Sequence, residues 1–280
     1  RTATGFGRTM TKAAGSRFGS FAGVAGKAIQ RGIPVVWIDR MTEEELAPLR
    51  AIAPDVLLVG GFSVILKKRL LELPKIGCVN MHSSLLPKHR GPNPFSAVVM
   101  DGDEESGVTF HQMDEGIDTG PILEQYRFPI RKQDTALDVY RRACSFASLH
   151  VVGMMDRIAR DGMYGRPQDG EGTYDQKLKK ADSYIDWSLP AQAIERRVRG
   201  LQPFYVGRFR WRGHTITVTR VRLEDRRTEA TPGTITGRGP FVEVATGDGT
   251  LTLLTAYATA PIPWIWPAPW NRVTVGEKLT

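Results

Sequence analysis

Asp55-Val56-Leu57-Leu58-Val59-Gly60-Gly61-Phe62 decides the fold. After one acid the chain runs apolar without alternation up to a glycine pair. A strand with one wet face alternates apolar and polar side chains. A strand covered on both faces does not, which is the condition inside a parallel sheet flanked by helices. Working outward, GIPVVWI (32–38) reads as another strand, with Pro34 near its start where a missing N–H is tolerated. Between the two lies MTEEELAPLRAIAP (41–54), a predicted helix. Thr42 is its N-cap, Glu45 completes a capping box, and Pro54 marks its end.

The alternation continues in both directions. FAGVAGKAIQR (21–31) and LKKRLLEL (66–73) read as helices, and GCVNMHSSLLP (77–87) as a strand running into a loop. GPNPFSAVVMDGD (91–103) is loop then helix, GVTFHQM (107–113) alternates as a strand, and residues 135–162 form a long amphipathic helix. This order predicts an α/β domain over residues 1–165 with a mainly parallel, Rossmann-like sheet. Such a sheet opens with a strand–turn–helix unit. The first residues are instead rich in Gly, Ser, Thr and Lys and do not begin with Met, so the first strand is expected to be missing from the chain.

At residues 164–182 the text becomes Gly-rich and charged, and 166–189 is expected to be a linker. One more helix (190–202) precedes a run of strand-like text with RGH, TPG and GDG turns. Residues 190–280 are therefore predicted to be a small OB-like β-barrel domain.

The 280 residues suffice for two domains, and 41% hydrophobic with 24% charged residues is an ordinary globular balance. No apolar run approaches the roughly 18–20 residues that cross a bilayer, so no membrane partner is expected. The opening RTATGFGRTM lacks a signal-peptide core, and Cys78 and Cys144 have no metal or redox spacing. A cytoplasmic protein with reduced cysteines is expected. Charge is uneven. Of the net +8, residues 190–280 carry +6, with 12 arginines among 13 cations. A basic module behind a near-neutral one suits a polyanionic partner such as a nucleic acid.

Two clusters carry chemistry. The first is Asn80-Met81-His82-Ser83-Ser84-Leu85-Leu86-Pro87-Lys88-His89-Arg90-Gly91. Asn80 and His82 are two apart on an extended segment, so they share a face, at the strand end where α/β sheets bind ligands. An amide N–H beside an imidazole can serve an oxygen that gains charge. The second cluster runs from Gly107 to Pro121, a strand entering an acidic, glycine-punctuated loop in which Asp118 is a candidate proton acceptor. On composition alone an Asn-x-His at a strand end is more often structural than catalytic, and Asp-Glu-Gly-Ile-Asp (114–118) suits a surface turn or a weak cation site. His111 is expected to be packed or solvated, and His89, His150 and His214 have no local partner and receive no role. No zinc spacing, dinucleotide fingerprint, phosphate loop or nucleophile elbow is present.

The two clusters resemble the signature stretches of the folate-dependent formyltransferases, Asn-x-His-x-Ser-Leu-Leu-Pro-x-x-Arg-Gly and Gly-Val-Thr-x-x-x-Met-Asp-x-Gly-x-Asp-x-Gly. Every defined position is met. The resemblance implies a formyl group moved from 10-formyltetrahydrofolate to an amine, without a metal. Asn80 would hold the formyl oxygen, His82 would stabilise the charge on it and move protons, and Asp118 would tune His82. Ser84, Leu85, Leu86 and Pro87, with Asp114, Glu115, Gly116 and Ile117, would hold the pterin. Val59 to Phe62, Gly61 included, would line the same pocket. Within the family the chain most resembles the enzymes acting on methionyl-tRNA, so tRNA is the implied partner. An amino-sugar nucleotide is the alternative acceptor, since Lys88, His111 and GDGTLTLLTAY resemble that subgroup, and release of formate to water is a third outcome. The family's usual basic, glycine-rich loop near the N-terminus is not matched by Gly7–Lys12.

Overall fold

The computed structural model describes residues 19–61, 65–258 and 273–280. These divide between two compact units, one within Arg1–Leu57 and Ile65–Gly77, the other within Leu58–Val64 and Cys78–Thr280.

In the first unit, helix α1 (Gly19–Gln30) precedes α2 (Glu43–Ile52). The α2 cap forms as its sequence predicts. Thr42 Oγ1 accepts from Glu45 N at 3.3 Å, and Glu45 Oε2 accepts from Thr42 N at 3.2 Å. The helix stops at Ala53 in the left-handed region, just ahead of Pro54. One expectation fails here. Residues 33–38 form no strand, and Ile33 and Trp37 stand 55% and 47% exposed. A strand is held by its ladder, and this segment has no ladder partner among the described residues. β1 (Val56–Gly60) begins here and belongs to the second unit from Leu58 on, while the short helix α3 (Lys68–Leu71) lies in the first.

The second unit carries β2 (Gly77–His82), α4 (Pro94–Asp101), β3 (Glu105–Gln112), β4 (Ile122–Pro129) and α5 (Ala136–Asp161). The sheet order is β1-β2-β3-β4. β1 reaches its neighbour β2 through a helix-bearing connection, the form parallel pairing requires. The α/β class stands, with one refinement to the mainly parallel expectation: β2 with β3, and β3 with β4, are antiparallel. In the register, Asn80 lies opposite His111 and His82 opposite Thr109.

After a 3-10 turn (Lys180–Ser183), helix α6 (Ala191–Gly200) packs on α4. A Cβ on Gly200 would lie 2.6 Å from Met100 Cγ, so that glycine permits the close approach. Five antiparallel strands follow: β5 (Gly207–Trp211), β6 (His214–Glu224), β7 (Ile235–Arg238), β8 (Val242–Ala245) and β9 (Thr250–Ala258), ordered β5-β6-β9-β8-β7. The C-terminal tail joins the two outer strands. Ile235 N donates to Glu277 O and Leu279 N to Gly233 O, both at 2.8 Å, while Thr280 N donates to Arg210 O at 3.0 Å. The sheet thereby closes into the expected OB-like barrel. Its core gathers Phe209, Ile235, Leu251 and Leu253 with Trp187, and with Ile194 and Val198 from α6. No described helix is long and apolar enough to cross a membrane.

Candidate active site

Asn80 and His82 leave the same face of β2, as period-two alternation requires. β3 brings His111 opposite Asn80, and the loop after β3 brings Asp118 back over both. Asp118 has φ of 54°, an unusual backbone for a residue with a Cβ. Its Oδ1 accepts from Asn80 Nδ2 at 3.1 Å and lies 3.4 Å from His111 Nε2. Its Oδ2 accepts from Gly91 N at 2.8 Å and lies 3.6 Å from His82 Nδ1. Asn80 Nδ2 also donates to His111 Nε2 at 3.2 Å, and His111 Nδ1 donates to Gln112 O at 2.9 Å. Four side chains thus share one cluster, where the sequence pointed to three.

His82 is buried at 5% exposure. Its Nε2 is 2.8 Å from His89 O, an acceptor only, so Nε2 carries the proton. Nδ1 is then a lone pair turned toward the Asp118 carboxylate. Burial holds the ring below the ordinary imidazole value, against the pull of Asp118 and the His89 carbonyl. Burial would raise Asp118, but contact with His111, the nearby His82 ring and the Gly91 N–H bring it down to about 2. At neutral pH the pair is therefore a neutral imidazole beside a carboxylate. An amine proton arriving at Nδ1 would create an imidazolium between the carboxylate and a carbonyl, which stabilise it.

Ser84 is fully buried, donates to Lys88 O at 2.8 Å and approaches His89 O at 3.4 Å. It braces the loop that holds His82. Leu86 is buried too, its N donating to Thr109 Oγ1 at 3.3 Å and its O accepting from Gln125 Nε2 at 2.9 Å. Leu85 packs over Gly107, and Leu85 and Pro87 stay partly open. Asp114 turns back onto its own loop, accepting from Gly116 N at 3.0 Å and Thr119 Oγ1 at 2.7 Å. Glu115, Gly116 and Ile117 are exposed beside Asp118. Gly61 follows β1 with φ of 66°. Phe62 lies outside the described residues.

His111 is packed, as expected, and it also belongs to the cluster, where the pairing of β2 with β3 puts it. His89 is buried, with Nδ1 donating to Asp175 Oδ2 and Nε2 to Asp103 Oδ2, each at 3.0 Å. Burial disfavours its charge, but the two carboxylates win and raise its pKa. His89, Asp101 and Asp175 also place ligand atoms within 4.8 Å of one another. With both ring nitrogens committed to carboxylates, this is an ion-pair clamp around an imidazolium.

Known proteins resemble this chain over most of its length. The family model described as "Formyl transferase" matches residues 26–153, and "Formyl transferase, C-terminal domain" matches residues 177–260. Methionyl-tRNA formyltransferase of Halorhodospira halophila is 37% identical over 228 residues, 81% of this chain and 74% of that protein. The enzyme of the same name from Roseiflexus castenholzii is 34% identical over 260 residues, 90% of this chain and 82% of its own. Among solved structures, the N-formyltransferase from Helicobacter canadensis, crystallised with folinic acid and dTDP-3-aminofucose, superposes with a TM-score of 0.62. It is 24% identical and covers 81% of this chain and 80% of its own, a likeness of fold. Matched along most of its length at these identities, this chain belongs to the formyl transferase family.

Proposed function

We propose that this chain transfers the formyl group of 10-formyltetrahydrofolate to the amino group of methionyl-tRNA. The observation that carries the reading is the buried His82, locked by the His89 carbonyl on one side and facing Asp118 on the other. Asn80 turns one N–H from His111 or Asp118 onto the formyl oxygen as charge grows there. His82 Nδ1 takes the proton of the attacking amine, Asp118 stabilises the resulting imidazolium, and the proton passes to the folate nitrogen as its bond to the formyl carbon breaks. The pterin is held by Ser84, Leu85, Leu86 and Pro87, by Asp114, Glu115, Gly116 and Ile117, and by Gly61 and Phe62. Residues 1–165 are the catalytic part, 166–189 the connection and 190–280 the barrel. The names of the relatives support the tRNA acceptor, as do the exposed arginines 210, 220, 222 and 227 of the barrel, since phosphate neutralisation supplies much of nucleic-acid affinity. Cys78 and Cys144 form no disulfide, which suits a cytoplasmic enzyme.

The test gives purified protein 10-formyltetrahydrofolate with no acceptor, with methionyl-tRNA, or with an amino-sugar nucleotide. Tetrahydrofolate release that depends on methionyl-tRNA is expected. Release only with the sugar would overturn the acceptor, release into water alone would make the chain a hydrolase, and release with none would overturn the enzyme. The pH profile is a second expectation. His82 works as a neutral base, so kcat/KM should fall as pH drops through its protonation, with a midpoint below 6.5. Asp118 stays ionised across that range, its carboxyl being held at about 2. An acid limb centred above 6.5 would exclude this assignment of the base.

A further inference from the structure

Residues 166–175, a linker in the sequence, are bonded to both catalytic loops. Ile122 N donates to Arg166 O at 2.8 Å and Arg166 N returns to Ile122 O at 2.9 Å. On the other loop, Arg90 N donates to Thr173 O at 2.9 Å, Asp175 N to Arg90 O at 2.8 Å and Thr173 N to Pro87 O at 3.2 Å. Gly91 is where the backbones nearly touch, since a Cβ there would stand 2.6 Å from Asp175 O. The segment is a strap across the site.

One strap side chain ties the two loops to each other. Gln168 Nε2 donates to Asp118 O and to Gly120 O, both at 2.8 Å. Its Oε1 accepts from Arg90 Nε at 3.2 Å and Nη2 at 2.7 Å. Every donor and acceptor of the amide is used, two on the Asp118 loop and one on the loop that follows His82. Asp118 is the residue with left-handed backbone, a conformation that persists only where its surroundings over-determine it. Gln168 grips the carbonyl of that very residue. Arg90, which anchors Gln168, is held in turn by the hydroxyl of Tyr174 at 3.0 Å and lies over its ring.

We propose that Gln168 is a positioning residue for formyl transfer: from the strap it fixes the turn at Asp118 so that the carboxylate faces His82. This rests on the roles given above to His82 and Asp118. Gln168 touches neither reacting group and acts through Asp118. The charged and titratable groups around His82 are Asp118, His111 and, beyond the His89 backbone, Asp175. Of these, Asp118 is the one whose backbone Gln168 holds.

The experiment compares the full chain with Gln168→Met, Gln168→Glu and His82→Ala. It measures kcat, KM for the formyl donor, Tm, and the titration of the His82 ring by NMR. Met fills the same space without donors. Glu keeps an acceptor for Arg90 but turns an oxygen toward two carbonyls, so a role confined to anchoring the strap would survive it. Both Gln168 variants should lose roughly 10–100-fold in kcat with KM little changed, the signature of misplaced catalytic groups. In Gln168→Met the His82 midpoint should move down, because the carboxylate that favours its charged form has drifted away. Wild-type kcat in Gln168→Glu would overturn the proposal. So would a loss of rate matched by a loss of Tm in both variants, which assigns Gln168 to folding. Retention of rate in His82→Ala would instead remove the catalytic reading. The NMR midpoint in Gln168→Met then decides on Gln168 alone, and an unmoved midpoint overturns it.

Discussion

Asn80→Ala is expected to lower kcat/KM by roughly 10²–10³-fold, equivalent to about 2–4 kcal/mol of transition-state stabilisation. Two losses combine in that figure. The amide is the donor placed for the formyl oxygen, and a methyl offers nothing as charge builds there. The same amide bridges His111 Nε2 and Asp118 Oδ1 at 3.2 and 3.1 Å, so its removal leaves both facing each other without a proton between them. A partly buried acceptor stripped of its donor is costly and tends to move. His82→Ala should lose a similar amount, since it removes the proton acceptor itself. The two effects should not add in the double variant, because residues that act as one unit are non-additive. Steady-state rates with 10-formyltetrahydrofolate decide the matter, and near-full activity in either variant refutes the assignment.

Gly120→Ala is expected to be nearly as damaging without touching a reacting group. A Cβ at Gly120 would lie 1.9 Å from the Gln112 carbonyl oxygen and 2.9 Å from its carbon. Both obstacles are backbone, and neither can step aside freely. Gln112 N is bonded to Pro121 O at 2.9 Å, and Gly120 O is held by Gln168. The loop must shift, and Asp118 is two residues upstream. A displacement of about 1 Å in a catalytic group can cost on the order of 10²-fold in rate, and overpacking a tight contact typically costs about 1–3 kcal/mol of stability. Gly153 is the internal control. It lies in α5 with nothing within 4 Å of its added Cβ. There alanine should stabilise by up to about 1 kcal/mol, as it does in a helix interior. Equal Tm and equal rate for Gly120→Ala and the unaltered chain would mean the turn is softer than its contacts imply.

Local chemistry made much of this structure legible. The Thr42–Glu45 capping box, the stop before Pro54 and the apolar run of β1 each formed where the residues placed them. Asn80 and His82 share a face because alternation demands it. What the sequence hid depends on partners far along the chain. Residues 33–38 have the composition of a strand, yet composition supplies no ladder. β4 was overlooked because Glu124, Gln125 and Arg127 break its apolar pattern. His111 was read as an ordinary strand residue, since alternation gives the face but not the neighbour. The ring of His89 has no partner within ten residues. Its carboxylates arrive from Asp103 and Asp175. Gln168 sits in glycine-rich, charged text whose composition resembles any surface loop.

The C-terminal tail has a meaning beyond closure of the barrel. Five strands in one open sheet would leave β5 and β7 with rows of unpaired backbone groups, a template on which other chains can add strands and aggregate. Residues 277–280 occupy part of both rows, at Arg210 on one side and at Gly233 and Ile235 on the other. Glu277 strengthens the seam by accepting from the Trp211 indole at 2.7 Å. Residues 277–280 therefore act as a guard against self-association as well as supplying Leu279 to the core, so the solubility of the barrel and its packing are bound to the same short segment.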